Sequence, residues 1–137
     1  MEKSLLLMLA LFLLSMGTCS FRQDDAKEDK ALEEITATEL NQLMQYDPEI
    51  QIIDVREPYE YEIARIPNSK LIPLGEITKR MNELDPLRVA FVYCRSGGRS
   101  AKAIEELKKH GYEGRLVNLK GGILAWADEV DKSMPKY

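Results

Sequence analysis

The rhythm of apolar positions changes several times along the chain. Leu5 to Leu14 is an unbroken apolar run, residues 22–34 are almost wholly charged or polar, and from Ile35 onward short apolar runs alternate with stripes at helical spacing. Thr36-x-x-Glu39 is a capping box followed by Leu40, Leu43 and Met44, which predicts a helix over 37–46 stopped by Asp47-Pro48. Ile50 to Val55 predicts a strand, Glu57 to Ala64 a short helix with Pro58 near its first position, and Lys70 to Ile72 a brief strand. Leu74, Ile77, Met81 and Leu84 recur at helical spacing up to Asp85-Pro86 and predict another helix. Val89 to Tyr93 is a near-continuous apolar run, as expected of a strand buried on both faces of a parallel sheet. After a loop over 94–99, Ser100 to His110 predicts a helix with Ala101, Ala103, Ile104 and Leu107 inward, closed by Gly111. Leu116 to Leu119 predicts a strand, and Gly121-Gly122 turns the chain into a last helix carrying Ile123, Leu124, Trp126 and Val130. Strands alternating with helices imply an α/β domain with a mainly parallel sheet, whose active site lies beyond the carboxyl ends of strands. The loop after Tyr93 is at such an end.

Composition narrows the function. With 137 residues, 45% hydrophobic and 31% charged, the chain holds one ordinary domain whose core needs no disulfide staples. A net charge of −4 gives no support for a nucleic-acid binder. The two cysteines, Cys19 and Cys94, are too few for a disulfide scaffold. A single histidine, His110, excludes a multi-histidine metal site and argues against a Cys-His pair; no metal or other cofactor is expected. His110 falls in the last turn of its helix, where it complements the helix dipole, and Trp126 is expected in the core.

The first residues read as an address. Lys3, the apolar decamer Leu5–Leu14 and the small or polar residues Ser15 to Ser20 form the three-part pattern of a secretory signal over 1–18, too short for the roughly 20 apolar residues of a membrane span. Met16-Gly17-Thr18-Cys19 resembles a relaxed lipobox of bacterial lipoproteins, with Cys19 as the lipidated mature N-terminus; ordinary cleavage after Gly17 or Ser20 is the other reading. Either way the protein is expected to be exported, periplasmic or membrane-anchored through lipid alone. Residues 19–34 then read as a charged linker, with a charged first helical turn as the alternative, and residues 35–137 as the folded domain.

The loop Cys94-Arg95-Ser96-Gly97-Gly98-Arg99 leading into Ser100 carries the candidate chemistry. Backbone amides in such a glycine-rich turn converge into an anion-binding nest, the following helix adds its positive N-terminus, and Arg95 and Arg99 add formal charge. All three favour a thiolate, which makes Cys94 a nucleophile without a histidine base. A buried structural cysteine would explain Cys94 but not the paired glycines and flanking arginines.

Three segments resemble the single-domain rhodanese family. Asp54-Val55-Arg56-Glu57-Pro58-Tyr59-Glu60-Tyr61, followed by Ile66-Pro67-Asn68-Ser69 and Ile72-Pro73, is similar to its first signature. Tyr93 to Ser100 resembles its active-site loop, and Leu119-Lys120-Gly121-Gly122 with Ala125-Trp126 its closing signature. The resemblance implies a five-stranded parallel sheet flanked by helices and a sulfurtransferase. In that chemistry Cys94 takes sulfane sulfur from thiosulfate or a persulfide donor and passes it to a thiol, cyanide or protein acceptor. It further implies that the amides of Ser96, Gly97, Gly98 and Arg99 cradle the outer sulfur, that Ser100 adds a hydrogen bond and that Arg95 attracts the anion. Arg99 either faces the anion or pairs with Asp54, and Asp54 and Arg56 are scaffold. The family's Gly-His before Ile-Pro is replaced here by Ala64-Arg65. Two other classes remain: a non-enzymatic persulfide carrier or docking module, and a phosphatase or arsenate reductase. The latter use Cys-x5-Arg loops, one residue longer than the Cys94-x4-Arg99 spacing, which suits a single sulfur better than a tetrahedral oxyanion.

Overall fold

In the computed structural model, which describes residues 31–137, the alternating pattern builds a sheet of five strands, all parallel. The expected signal, Cys19 and residues 19–30 of the expected linker lie outside the described residues. The elements run β1 (Glu34–Ile35), α1 (Ala37–Tyr46), β2 (Gln51–Asp54), α2 (Pro58–Ile63), β3 (Lys70–Leu71), β4 (Ala90–Tyr93), α3 (Gly98–Lys109), β5 (Leu116–Leu119) and α4 (Gly122–Glu129). Strand order is β1-β5-β4-β2-β3, so β4 is the middle strand and all its residues are buried.

The two-residue period of the strands sorts side chains between the two faces. Ile53, Val55, Ala90 and Val92 pack with Ala103, Ile104 and Leu107 of α3 and with Ile77 and Leu84. Ile52, Phe91, Tyr93, Val117 and Leu119 pack on the opposite face with Ala37 and Leu40 of α1 and with Ile123 and Trp126 of α4. Cys94 continues the alternation of Ala90 and Val92, which carries it onto the α3 face at the carboxyl end of β4.

Local signals account for the helix ends. Thr36 Oγ1 accepts from the Glu39 amide at 3.2 Å while the Glu39 carboxylate accepts from the Thr36 amide at 2.9 Å, the reciprocal cap read from the sequence. Glu57 and Glu60 repeat the device at the start of α2, with Pro58 in its first turn. His110 ends α3, its Nδ1 lying 2.8 Å from the Glu106 carbonyl.

Two expectations differ from the structure. The stretch Leu74–Leu84 is not one helix but two 3₁₀ turns, Leu74–Glu76 and Met81–Glu83. Gly75 and the β-branched pair Ile77-Thr78 are weak helix formers. Three-residue spacing also suits 3₁₀ turns, and they seat Ile77 and Leu84 in the core. β1 begins at Glu34, one residue before the boundary expected between linker and domain; Glu33 there pairs with Arg115, and the Lys120 amide donates to the Ile35 carbonyl. With a single apolar residue, this two-residue edge strand carries no period to read.

The paired glycines after β5 tie α4 to the loop after β4. Gly121 and Gly122 hold φ of 75° and 60°, and the amides of Ile123 and Leu124 donate to the carbonyls of Cys94 at 2.9 Å and Arg95 at 3.2 Å. A Cβ on Gly122 would meet the Cys94 oxygen at 2.4 Å, so only glycine lets α4 start there. Gly122→Ala is therefore expected to cost about 2 kcal/mol or more by urea denaturation. A variant as stable as the parent would show that this approach is not required.

Candidate active site

Cys94 lies at the carboxyl end of the middle strand with 1% of its surface exposed. The chain turns sharply at Gly97, whose φ of 108° opens the loop so that its amide donates to Cys94 Sγ at 3.1 Å. Ser100 Oγ reaches the same sulfur at 3.4 Å from the first turn of α3. Burial pushes the thiol up, but the Ser100 hydroxyl and the amides of Ser100, Gly97 and Ser96 more than offset it, so the net shift is downward. The loop thus stabilises negative charge on sulfur with dipoles rather than with a base.

The charged residues divide into bonded sets. Asp54, at the end of β2, accepts from the Arg56 amide and Nε at 2.9 Å and from Nη2 at 2.6 Å, and both side chains are fully buried. Arg56 also donates to the Ala64 carbonyl at 2.7 Å, tying β2 to the end of α2. Burial opposes its charge, and the hydrogen bonds and charge of Asp54 outweigh it, so Arg56 titrates above its ordinary value. Asp54 and Arg56 thus bond to each other and to neighbouring backbone, and neither bonds to the sulfur. With Asp54 occupied by Arg56, the pairing of Arg99 with it, one of the two readings the sequence left open, does not form. Arg99 instead makes a bidentate pair with Glu60, Nη1 to Oε2 at 2.6 Å and Nη2 to Oε1 at 2.8 Å.

Arg95, expected to face an anion, donates to the main-chain oxygen of Tyr137, with Nε at 2.6 Å. Its guanidinium stands 5.5 Å from the Tyr137 ring centroid. A half-buried guanidinium needs an acceptor, and the segment after α4 folds back to supply one. The Tyr137 phenol lies against Arg56 and, at 3.1 Å, donates to Glu60. Ser96 and Gly98 are exposed at the rim.

Sequence reasoning missed Glu60, Asn118 and Tyr137. Glu60 sits in PYEYEI, where it reads as an ordinary helical charge, yet it is 2% exposed; its reciprocal cap with Glu57 is the signal that finds it. Asn118 is buried in an otherwise apolar strand, with Oδ1 2.6 Å from Ser100 Oγ. Tyr93, just before Cys94, points to the opposite face of the sheet: its hydroxyl accepts from the Ile66 amide at 3.2 Å and lies 2.9 Å from Ser69 Oγ. A separate groove, lined by Leu43, Tyr46, Ile50, Val89 and Arg115, opens at the amino ends of the strands and contains none of these residues.

Comparison with known proteins agrees with this geometry. The rhodanese-like domain family matches residues 36–129. A sulfurtransferase of Allochromatium vinosum is 39% identical over 94 residues, 69% of this chain and 87% of that protein. The probable adenylyltransferase/sulfurtransferase MoeZ of Mycobacterium tuberculosis is 36% identical over 121 residues, 87% of this chain; the match spans only 31% of that longer protein. Among solved structures, a rhodanese-like domain protein of Staphylococcus aureus superposes with a TM-score of 0.66 at 35% identity, covering 72% of this chain and 95% of that one.

The Glu60–Arg99 pair makes a pH-dependent prediction. The hydrogen bond from Arg99 is the main cause that holds Glu60 down to about 2 against an ordinary 4.5, while burial works the other way. A depressed folded-state value stabilises the fold above pH 4.5, and the contribution is lost as pH falls towards 2. Arg99 is 37% exposed, so solvent screening reduces the effect. Glu60→Gln is expected to lose about 2 kcal/mol at pH 7, a gap that closes near pH 2, measured by urea denaturation across that range. An equal loss at both ends would assign Glu60's contribution to packing.

Proposed function

The chain belongs to the rhodanese-like family of sulfur-transfer domains, and from that premise we propose that it is a sulfurtransferase that moves sulfane sulfur from thiosulfate or a persulfide donor to a thiol or cyanide. The observation that carries the reading is the set of donors converging on Cys94 Sγ, the amides of Ser96, Gly97 and Ser100 and the Ser100 hydroxyl. The Cys94 thiolate attacks the outer sulfur of thiosulfate; a sulfur–sulfur bond forms at Cys94, the sulfur–sulfur bond of the donor breaks, and sulfite leaves with the electron pair. The loop amides, with those of Gly98 and Arg99, then receive the negative outer sulfur of the persulfide. An acceptor thiolate or cyanide attacks that sulfur and returns Cys94 as thiolate, so no net oxidant or reductant is consumed. The donor's oxyanion exchanges with the Tyr137 main-chain oxygen on Arg95. With this activity we also propose export by residues 1–18 and anchoring through lipid on Cys19, supported by the apolar decamer and the charged residues after it. Fractionating cells that express the parent and Cys19→Ala tests it: a membrane-bound parent and a soluble variant support the anchor, and a soluble, unlipidated parent contradicts it.

Mass spectrometry after thiosulfate treatment is the direct test of the chemistry. One added sulfur on Cys94 is expected in the parent and none there in Cys94→Ser, which should stay folded and lose all turnover onto cyanide. Turnover by Cys94→Ser would refute the mechanism; persulfide without turnover onto any small acceptor would make the chain a carrier that hands sulfur to a protein. Arg95→Ala should raise the KM for thiosulfate and flatten its salt dependence. Tyr137→Ala, which removes the anchors that hold the competing oxygen, should lower that KM by about fivefold, or ~1 kcal/mol. An unchanged KM in both variants would place the donor elsewhere.

A further inference from the structure

Asn118 lies beneath the active-site loop, 2% exposed, and joins three elements. Its Nδ2 donates to the Glu34 carboxylate of β1 at 3.1 Å and lies 3.4 Å from the Gly97 carbonyl, while Oδ1 lies 2.6 Å from Ser100 Oγ. A carboxylate and a carbonyl only accept, so Glu34, with the Gly97 carbonyl, fixes which end of the amide faces them and leaves Oδ1 to Ser100. The Ser100 hydroxyl has one proton and three acceptors within reach: Asn118 Oδ1 at 2.6 Å, the Gly97 carbonyl at 3.0 Å and Cys94 Sγ at 3.4 Å. The shortest contact belongs to Asn118, not to the sulfur.

We infer that Asn118, oriented by Glu34, is a positioning residue that draws the Ser100 proton away from Cys94 while the sulfur is a thiol and yields it when the sulfur ionises. In the thiol form the chain of donors runs from Cys94 S–H to Ser100 to Asn118. On ionisation, as the thiol proton leaves to solvent, the Ser100 hydroxyl turns to the sulfur. Asn118 Oδ1 is then left without that donor in a buried place, which costs free energy. Asn118 therefore opposes the loop amides and keeps Cys94 from becoming too weak a base, and thiolate nucleophilicity falls as basicity falls. The bearing on sulfur transfer rests on Cys94 being the carrier; the effect on ionisation does not.

The charged and titratable groups around the loop are Arg95 on the loop itself, Arg99 on α3, Asp54 and Arg56 at the end of β2, Glu60 on α2, Tyr137 after α4 and Glu34 on β1. All but Glu34 are untouched by the variants below. The rate of Cys94 alkylation by iodoacetamide, followed by peptide mass spectrometry on the full chain as pH varies, reports the thiolate fraction. Asn118→Ala removes the competing acceptor, and its midpoint is expected to fall by about half a pH unit. Asn118→Asp supplies a stronger, negative acceptor, and its midpoint is expected to rise by about one unit or more. Glu34→Gln can donate as well as accept, which removes the stronger of the two acceptors that hold Nδ2 and lets the Asn118 amide turn over in part, donate to Ser100 and free the hydroxyl for sulfur; with the Gly97 carbonyl still in place, its midpoint should fall by less than that of Asn118→Ala. Glu34 is exposed, so this variant keeps the test available should an Asn118 variant not fold. Opposite shifts for the Ala and Asp variants, or a fall in Glu34→Gln, support the role. Variants that all rise, as a merely loosened loop would make them, or that all stay at the parent value, overturn it. Failure of the parent to take up sulfur from thiosulfate would overturn the proposed function while leaving these shifts intact.

Discussion

The sulfur of Cys94 is carried into the sheet interior by the same alternation that places Val92 in the core, and a charged sulfur there is opposed by burial. Everything around it answers that opposition. A parallel βα unit brings the carboxyl end of a strand to the amino end of the next helix, where unpaired amides point outward. Gly97 takes the left-handed conformation that swings its amide onto the sulfur, and Ser100 follows one turn later. Gly122 admits the start of α4 so closely that its first amides hold the carbonyls of Cys94 and Arg95. The two glycine-bearing segments of the sequence are thus two sides of one construction, a loop kept open for an anion by a helix that only glycine lets in.

The arginines contribute differently from the amides. Each has an acceptor of its own: Arg56 holds Asp54, Arg99 holds Glu60, and Arg95 holds the Tyr137 main-chain oxygen. None is bonded to the sulfur. Their charge biases the field over the loop while the dipoles make the contacts, and of the three, Arg95 alone is held by a main-chain oxygen rather than by a buried side-chain carboxylate. Arg56 locks β2 to α2 from within, because a buried guanidinium left without its carboxylate is costly.

Much of this was legible in the sequence wherever a local signal specified it. The Thr36–Glu39 cap, the continuous apolar run into Tyr93, the glycine-rich loop after it and the Trp126 core position all follow from residue type and spacing. The stretch from Leu74 to Leu84 misleads because three-residue spacing serves a 3₁₀ turn as well as a helix, and core anchoring at Ile77 and Leu84 decides between them. β1 is too short for any period. Partner choice was the least legible feature. That Arg99 meets Glu60 depends on Asp54 being already filled by Arg56, and that Asn118 meets Ser100 depends on β5 lying beside β4. Those are facts of three-dimensional neighbourhood, with no trace in spacing.

Sulfur transfer at this loop requires the donors around Cys94 to hold its thiol below the ordinary value despite burial. Ultraviolet thiolate absorbance, recorded against pH on the parent with Cys94→Ser as the blank, measures that directly. A midpoint clearly below the value of about 8.5 for a free cysteine is the result the loop geometry requires. A midpoint at or above that value would mean that burial outweighs the donors, and that the loop does not prepare a nucleophile.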